Sequence, residues 1–199
     1  MKVKEISVEL KLSRIKPVQF SFATNLIVNW FFAYPEAKIN LTELSRKLQI
    51  SKRTASEVII NLKKQGFLEI EQIGKSWRIS CNIQHPYNQS HKIANNLSLV
   101  YRSGVIEKIY KLVGNPKSII LFGSYRKGDD ISTSDLDIAV EVVGNEPLKI
   151  VSLGVISELG FRKNVPVNLH IFSKSKVDSN LFANIANGIV LDGFLEVKA

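Results

Sequence analysis

The chain has 199 residues, 45% of them hydrophobic, and carries 27 Lys and Arg against 18 Asp and Glu, for a net charge of +9 and a pI near 9.6. Its length and apolar content suit two ordinary cores of about 100 residues each. No apolar run reaches the ~18 residues of a membrane span, and a single cysteine, Cys81, excludes an intramolecular disulfide.

Charge is divided unevenly along the chain. Residues 1–113 hold 18 basic and 8 acidic residues, whereas residues 114–199 hold 9 and 10. The positive field thus belongs to the first half, where a phosphate-rich partner is expected. With no signal-peptide pattern at the N-terminus, the expectation is a cytoplasmic protein without membrane association.

Taken in order, Val3 to Leu12 alternates charged and aliphatic residues and predicts a strand. Phe20 to Tyr34 predicts a helix that ends before Pro35. Leu41, Leu44 and Leu48 have helical spacing. Ser51 is positioned to cap a second helix with Ala55, Val58, Ile59 and Leu62 on its apolar side, and Gly66 ends it. FLEIEQI and SWRIS alternate around Gly74-Lys75 and predict a β-hairpin. Helix, turn, helix and hairpin in that order resemble a winged helix-turn-helix domain over residues 1–85. The resemblance implies a recognition helix in the major groove of DNA, with Ser51, Lys52, Arg53, Thr54 and Ser56 near bases and phosphates and with Lys75 and Arg78 on the wing. Winged helices also dock proteins, so protein or RNA contact is the alternative.

Residues 86–113 predict a connecting helix with Ile93, Leu97, Val100, Tyr101, Val105, Ile109 and Tyr110 along one side, and Gly104 as a mild liability in its middle. That stripe needs cover. It packs either on the C-terminal core or against a second copy in a homodimer.

The most specific spacing follows. SIILFG, Ser118 to Gly123, predicts a buried strand. Gly123 lets backbone approach a ligand, and Ser124 is placed to cap a following helix whose N–H groups and dipole suit a phosphate. LDIAVEV, Leu136 to Val142, predicts a second strand, and on it Asp135 and Asp137, two apart, point the same way. Paired carboxylates suit Mg²⁺, which takes its other ligands from phosphate and water. Arg126 and Lys127 are candidates for phosphate contact, while Asp129 and Asp130 read as turn residues after Gly128.

Gly123, Ser124, Gly128, Ser134, Asp135, Leu136 and Asp137 together resemble the signature of the DNA polymerase β-like nucleotidyltransferases, most closely the minimal ones. The closing stretch SNLFANIANGIVLDG is similar to that family's last helix and strand. The resemblance implies an α+β chain: the winged domain, the connecting helix, and a mixed-sheet transferase domain over residues 114–199. It implies a nucleoside triphosphate, with ATP expected, held by Gly123, Ser124 and Lys127 with two Mg²⁺, and Asp135 and Asp137 as catalytic metal ligands. The family's third acid aligns with Asn168, on a strand predicted over Val165 to Phe172. Asn is neutral and is not a base. His170, on the same face, is a candidate proton acceptor.

Other chemistries are poorly supplied. No GxxxxGK[ST] or G-x-S-x-G pattern occurs, and His85, His91 and His170 lack zinc-ligand spacing. Three functions remain: a Mg²⁺-dependent nucleotidyltransferase with an unknown acceptor, coupled to DNA binding; a slow or inactive nucleotide-sensing transcription regulator; and an antitoxin-like partner of another protein.

Overall fold

The structure, a computed structural model, describes residues 18–197, so the strand expected over Val3 to Leu12 lies outside the described residues. Helix α1 (Phe22–Ala33) starts at Ser21, whose hydroxyl accepts from the Thr24 N–H. Strand β1 (Lys38–Ile39) leads into α2 (Leu41–Leu48), capped by Asn40. Helix α3 (Lys52–Lys64) is capped by Ser51, as its sequence predicts: Ser51 Oγ accepts from Thr54 N at 3.0 Å. Strands β2 (Leu68–Ile73) and β3 (Ser76–Cys81) form a hairpin turning at Gly74-Lys75, and β1 adds to β3 on the other side. Ile27, Phe31, Leu44, Ala55, Ile59, Leu62, Phe67 and Ile79 close one core between these helices and the small sheet. Cys81 is buried at its edge, where desolvation pushes the thiol up to about 11 and makes it a packing residue.

The connection differs from the single helix expected over residues 86–113. A 3-10 turn (Pro86–Gln89) precedes α4 (His91–Arg102), and α5 (Val105–Val113) follows a break at Ser103-Gly104. Gly104 takes a left-handed conformation, φ 74°, which ends α4 and redirects the chain. The apolar stripe finds its cover within the chain: Val100, Val105 and Ile109 are buried in the second core, with Leu97 packed against it. Tyr101 and Tyr110 instead reach outward, donating to Leu191 O and to the Asp192 carboxylate.

The second half is a mixed five-stranded sheet. Strand β4 (Ser118–Phe122) is buried throughout and leads directly into the short helix α6 (Gly123–Lys127). Then come β5 (Leu136–Glu141), β6 (Lys149–Leu159), β7 (Arg162–Phe172), α7 (Ser179–Ala186) and β8 (Ile189–Gly193). The strand order is β6-β7-β5-β4-β8; β5 and β7 are parallel, and the other pairs are antiparallel. Alternation along the strands divides the core by face. Ile119, Leu121, Ile138, Val167 and Leu169 pack with Val100, Val105 and Ile109 of α4 and α5. Ile120, Phe122, Ala139 and Phe172 pack with Ile185 of α7.

The two halves touch at defined points. Tyr34 Oη donates to Phe161 O at 2.6 Å, and Phe161, in the β6–β7 turn, packs against the first core. Glu36 accepts from both the N–H and the hydroxyl of Ser132. Gly128, at φ 78°, lies under the 3-10 turn so closely that a Cβ there would stand 2.0 Å from Asn88 O.

Candidate active site

Strand register brings the predicted residues together. Phe122 pairs with Asp137 across β4 and β5, and Asp137 pairs with Asn168 across β5 and β7. Asp135, Asp137, Asn168 and His170 share one sheet face by alternation, at the end where Gly123 leaves β4. Asn168 Nδ2 donates to Asp135 Oδ2 at 3.1 Å and lies 3.5 Å from Asp137 Oδ1. His170 Nε2 is 3.6 Å from Asp137 Oδ1, its ring set edge-on against Phe122, and its Nδ1 is buried without a hydrogen-bond partner. Asp135 is exposed and Asp137 is half-buried, so both carboxylates remain open to a ligand.

Gly123 is required here for two reasons. Its φ of 71° disfavours any side chain, and a Cβ would stand 2.8 Å from Asp137 Oδ2. The absence of that Cβ keeps the Asp137 carboxylate beside the first turn of α6, whose N–H groups have no intrahelical acceptor. Ser124 does not cap this helix. The turn is made at Gly123 itself and α6 opens directly after Phe122, so Ser124 sits inside the first turn, without a side-chain cap bond. Lys127 lies one turn further along, exposed, lining a groove with Arg126, Pro35, Ile83 and Gln89. Among the described residues, no contact joins it to either carboxylate.

Two carboxylates within reach of one amide fit a single divalent cation that draws its remaining ligands from phosphate and water. A turned amide would offer Asn168 Oδ1 as a neutral ligand, but Asn168 supplies neither the charge nor the basicity of a third acid.

The loop carrying Asp135 is held by buried polar groups that the sequence does not announce. Asp130, read from sequence as a turn residue, is only 2% exposed and faces Lys92, 1% exposed, at 3.3 Å. Lys92 also donates to Asp130 O, while Asn96 Nδ2 donates to Asp130 Oδ1 at 2.8 Å and to Tyr125 O at 3.1 Å. Burial pushes the Lys92 ammonium down and the Asp130 carboxyl up, and their mutual attraction opposes both shifts. Arg162 closes the network: Nη1 donates to the buried Tyr125 hydroxyl and Nη2 to Ser134 O at 2.6 Å, immediately before Asp135. The one available signal was Lys92 and Asn96 four apart on an otherwise apolar helix face.

The residues expected on DNA are at the surface of the first half. Ser51, Lys52 and Arg53 are exposed at the start of α3, with Thr54 and Ser56 half-buried. Arg53 pairs with Glu57 at 3.1 Å and Arg78 with Glu71 at 3.2 Å, whereas Ser51 and Thr54 are engaged with each other. Lys52 and Lys75 have no ion-pair partner among the described residues.

Residues 103–190 match the family model of the nucleotidyltransferase domain. That match, which includes α5 and the strand-turn-carboxylate unit, supports transfer of a nucleoside monophosphate as the general chemistry. No curated protein matches the chain. Among the described residues, no helix is long and apolar enough to cross a membrane.

The buried pair yields a stability test. Lys92→Met leaves Asp130 buried without its partner and should lower stability by about 3–5 kcal/mol, whereas Lys92→Met combined with Asp130→Leu should recover a substantial part of that loss. Urea denaturation of the single and double variants measures both. An equal loss in the two would show that the pair is not what holds this junction.

Proposed function

We propose that the chain is a nucleotidyltransferase that transfers a nucleoside monophosphate from a nucleoside triphosphate to an acceptor hydroxyl, with turnover limited by Asn168. The observation that carries this reading is the convergence of the Gly123 turn with Asp135, Asp137 and Asn168 on one sheet face, at the end where the chain leaves β4. Asp135 and Asp137 would hold Mg²⁺, which when bound supplies positive charge against the triphosphate and the departing pyrophosphate. A second Mg²⁺ has less to hold it, because the third carboxylate is absent.

The chain's own groups have separate tasks. The first turn of α6 directs N–H groups at a phosphate. Gly123 permits close approach, and Ser124, free of a capping bond, offers its hydroxyl to a phosphate oxygen. His170 is placed to accept a proton through its contact with Asp137 or to orient that carboxylate. ATP is the first nucleotide to test.

For residues 1–85 we infer a winged helix-turn-helix that binds DNA through α3 and the β2–β3 hairpin. The element order, the exposed Lys52, Arg53 and Lys75, and the basic excess of this half support it. The Glu57 and Glu71 partners of Arg53 and Arg78 would be exchanged for phosphates on binding. The transferase domain then occupies residues 114–199, joined through α4 and α5, and a site in the cytoplasm accords with a DNA partner.

Asn168→Asp tests the catalytic reading. Pyrophosphate release from ATP and Mg²⁺, with water as acceptor, should rise at least about a hundred-fold, the low end for a restored general base. Unchanged release with intact ATP binding would favour a nucleotide-sensing regulator instead. Arg53→Ala tests the DNA reading: log affinity against log salt should lose about one unit of slope. An unaltered slope would remove Arg53 from the interface.

A further inference from the structure

A second cavity lies at the junction of the two halves, lined in part by Tyr125 and Arg162 of the buried network and by neither Asp135 nor Asp137. Its volume is about 150 Å³, roughly ten times what one water requires. Helix α1 contributes Asn29, α4 contributes Asn95 and Arg102, and the first residue of β7 is Arg162; Asp130 also lines the space, its carboxylate engaged by Lys92 and Asn96. Four donor-bearing side chains from three elements therefore meet at one space.

Their hydrogen-bonding state points to a ligand. Arg162 is only 5% exposed, yet its Nε has no hydrogen-bond partner. Such a buried N–H normally costs about 1–3 kcal/mol unless an acceptor meets it. Charge is unbalanced in the same direction. Lys92 and Asp130 offset each other, whereas Arg162 contacts only the neutral Tyr125 hydroxyl and Ser134 carbonyl, so the buried cluster retains one positive charge. Arg102, exposed at the rim, adds a second.

We propose that this cavity binds a small phosphate-class oxyanion, either free phosphate or the phosphoryl group of a small monoester, separate from the triphosphate site. Guanidinium groups match phosphate oxygens in geometry and charge, and donors arriving from several elements suit a tetrahedral ion better than a flat carboxylate. The occupant would rest on Arg162, whose Nη2 holds Ser134 beside Asp135, so the site is placed to influence the loop that carries the first carboxylate.

The test is calorimetric titration of inorganic phosphate, methyl phosphate and acetate into the full chain, with EDTA and at constant ionic strength. One saturable site for the phosphates and none for acetate is expected, and the tighter of the two phosphates identifies the source. Arg102→Gln, at an exposed position, should weaken that site at least about ten-fold, as should Asn95→Leu, whereas Ser124→Ala should leave it unchanged. Absence of saturable phosphate binding would overturn the proposal. So would binding that survives both cavity substitutions or is lost in Ser124→Ala, which would place the ion at the α6 turn. Because the titration contains no nucleotide or metal, its failure is distinct from failure of the transferase reading.

Discussion

The Lys92–Asp130 ion pair is the constraint on which the arrangement of the second half depends. Removing either charge from water costs several kcal/mol, and the pair persists because attraction at 3.3 Å and hydrogen bonds from Asn96 and to Asp130 O offset that cost. What the pair achieves is placement. It fastens the loop after Gly128 to α4, Asn96 carries the tie on to Tyr125 in α6, and Arg162 links Tyr125 to Ser134. The Gly123 turn and the carboxylate loop, which belong to opposite ends of the signature, are thereby held as one unit. Glu36 reaches the same loop from the first half through Ser132, so the element carrying Asp135 is anchored from both sides.

Local chemistry made much of this legible in the sequence. The Ser51 cap, the hairpin at Gly74-Lys75, the buried strand before Gly123 and the Asp-x-Asp pair all follow from spacing and residue type, and each occurs where expected. Asn168 was located by the resemblance alone, which aligned it with the family's third acid, and the parallel pairing of β5 with β7 sets it beside Asp137. The misses have physical causes. Gly104 breaks a helix because its left-handed conformation is compatible with a turn that continues the same apolar stripe. Strand β6 hides its alternation: Val151, Leu153 and Ile156 face the core, and the bulge between Ser152 and Gly154 shifts the pattern by one residue. Asp130 reads as a turn residue until its partner, 38 positions earlier, is folded against it.

The contrast between the two carboxylates and Asn168 defines the chemistry. A third acid would add negative charge beside Asp137 and a base for the attacking hydroxyl; Asn168 instead donates a hydrogen bond to Asp135 and approaches Asp137. In the absence of a ligand this eases the repulsion between two like charges on one face. Under the proposed function, a neutral Asn168 beside a bound metal and triphosphate would favour binding over fast turnover. A site with that balance, joined through a polar junction to the proposed DNA-binding domain, would suit reporting nucleotide occupancy as well as transferring a nucleotide.

The central claim is that Asp135, Asp137 and the Gly123 turn form a cation-dependent triphosphate site. Its most direct measurement is calorimetric titration of ATP, GTP, CTP and UTP into the wild-type chain with Mg²⁺ and with EDTA, repeated for Asp137→Asn. The account predicts saturable binding of at least one triphosphate that requires Mg²⁺ and is lost in the variant. Binding of equal strength with and without the cation, or binding that Asp137→Asn retains, would contradict it.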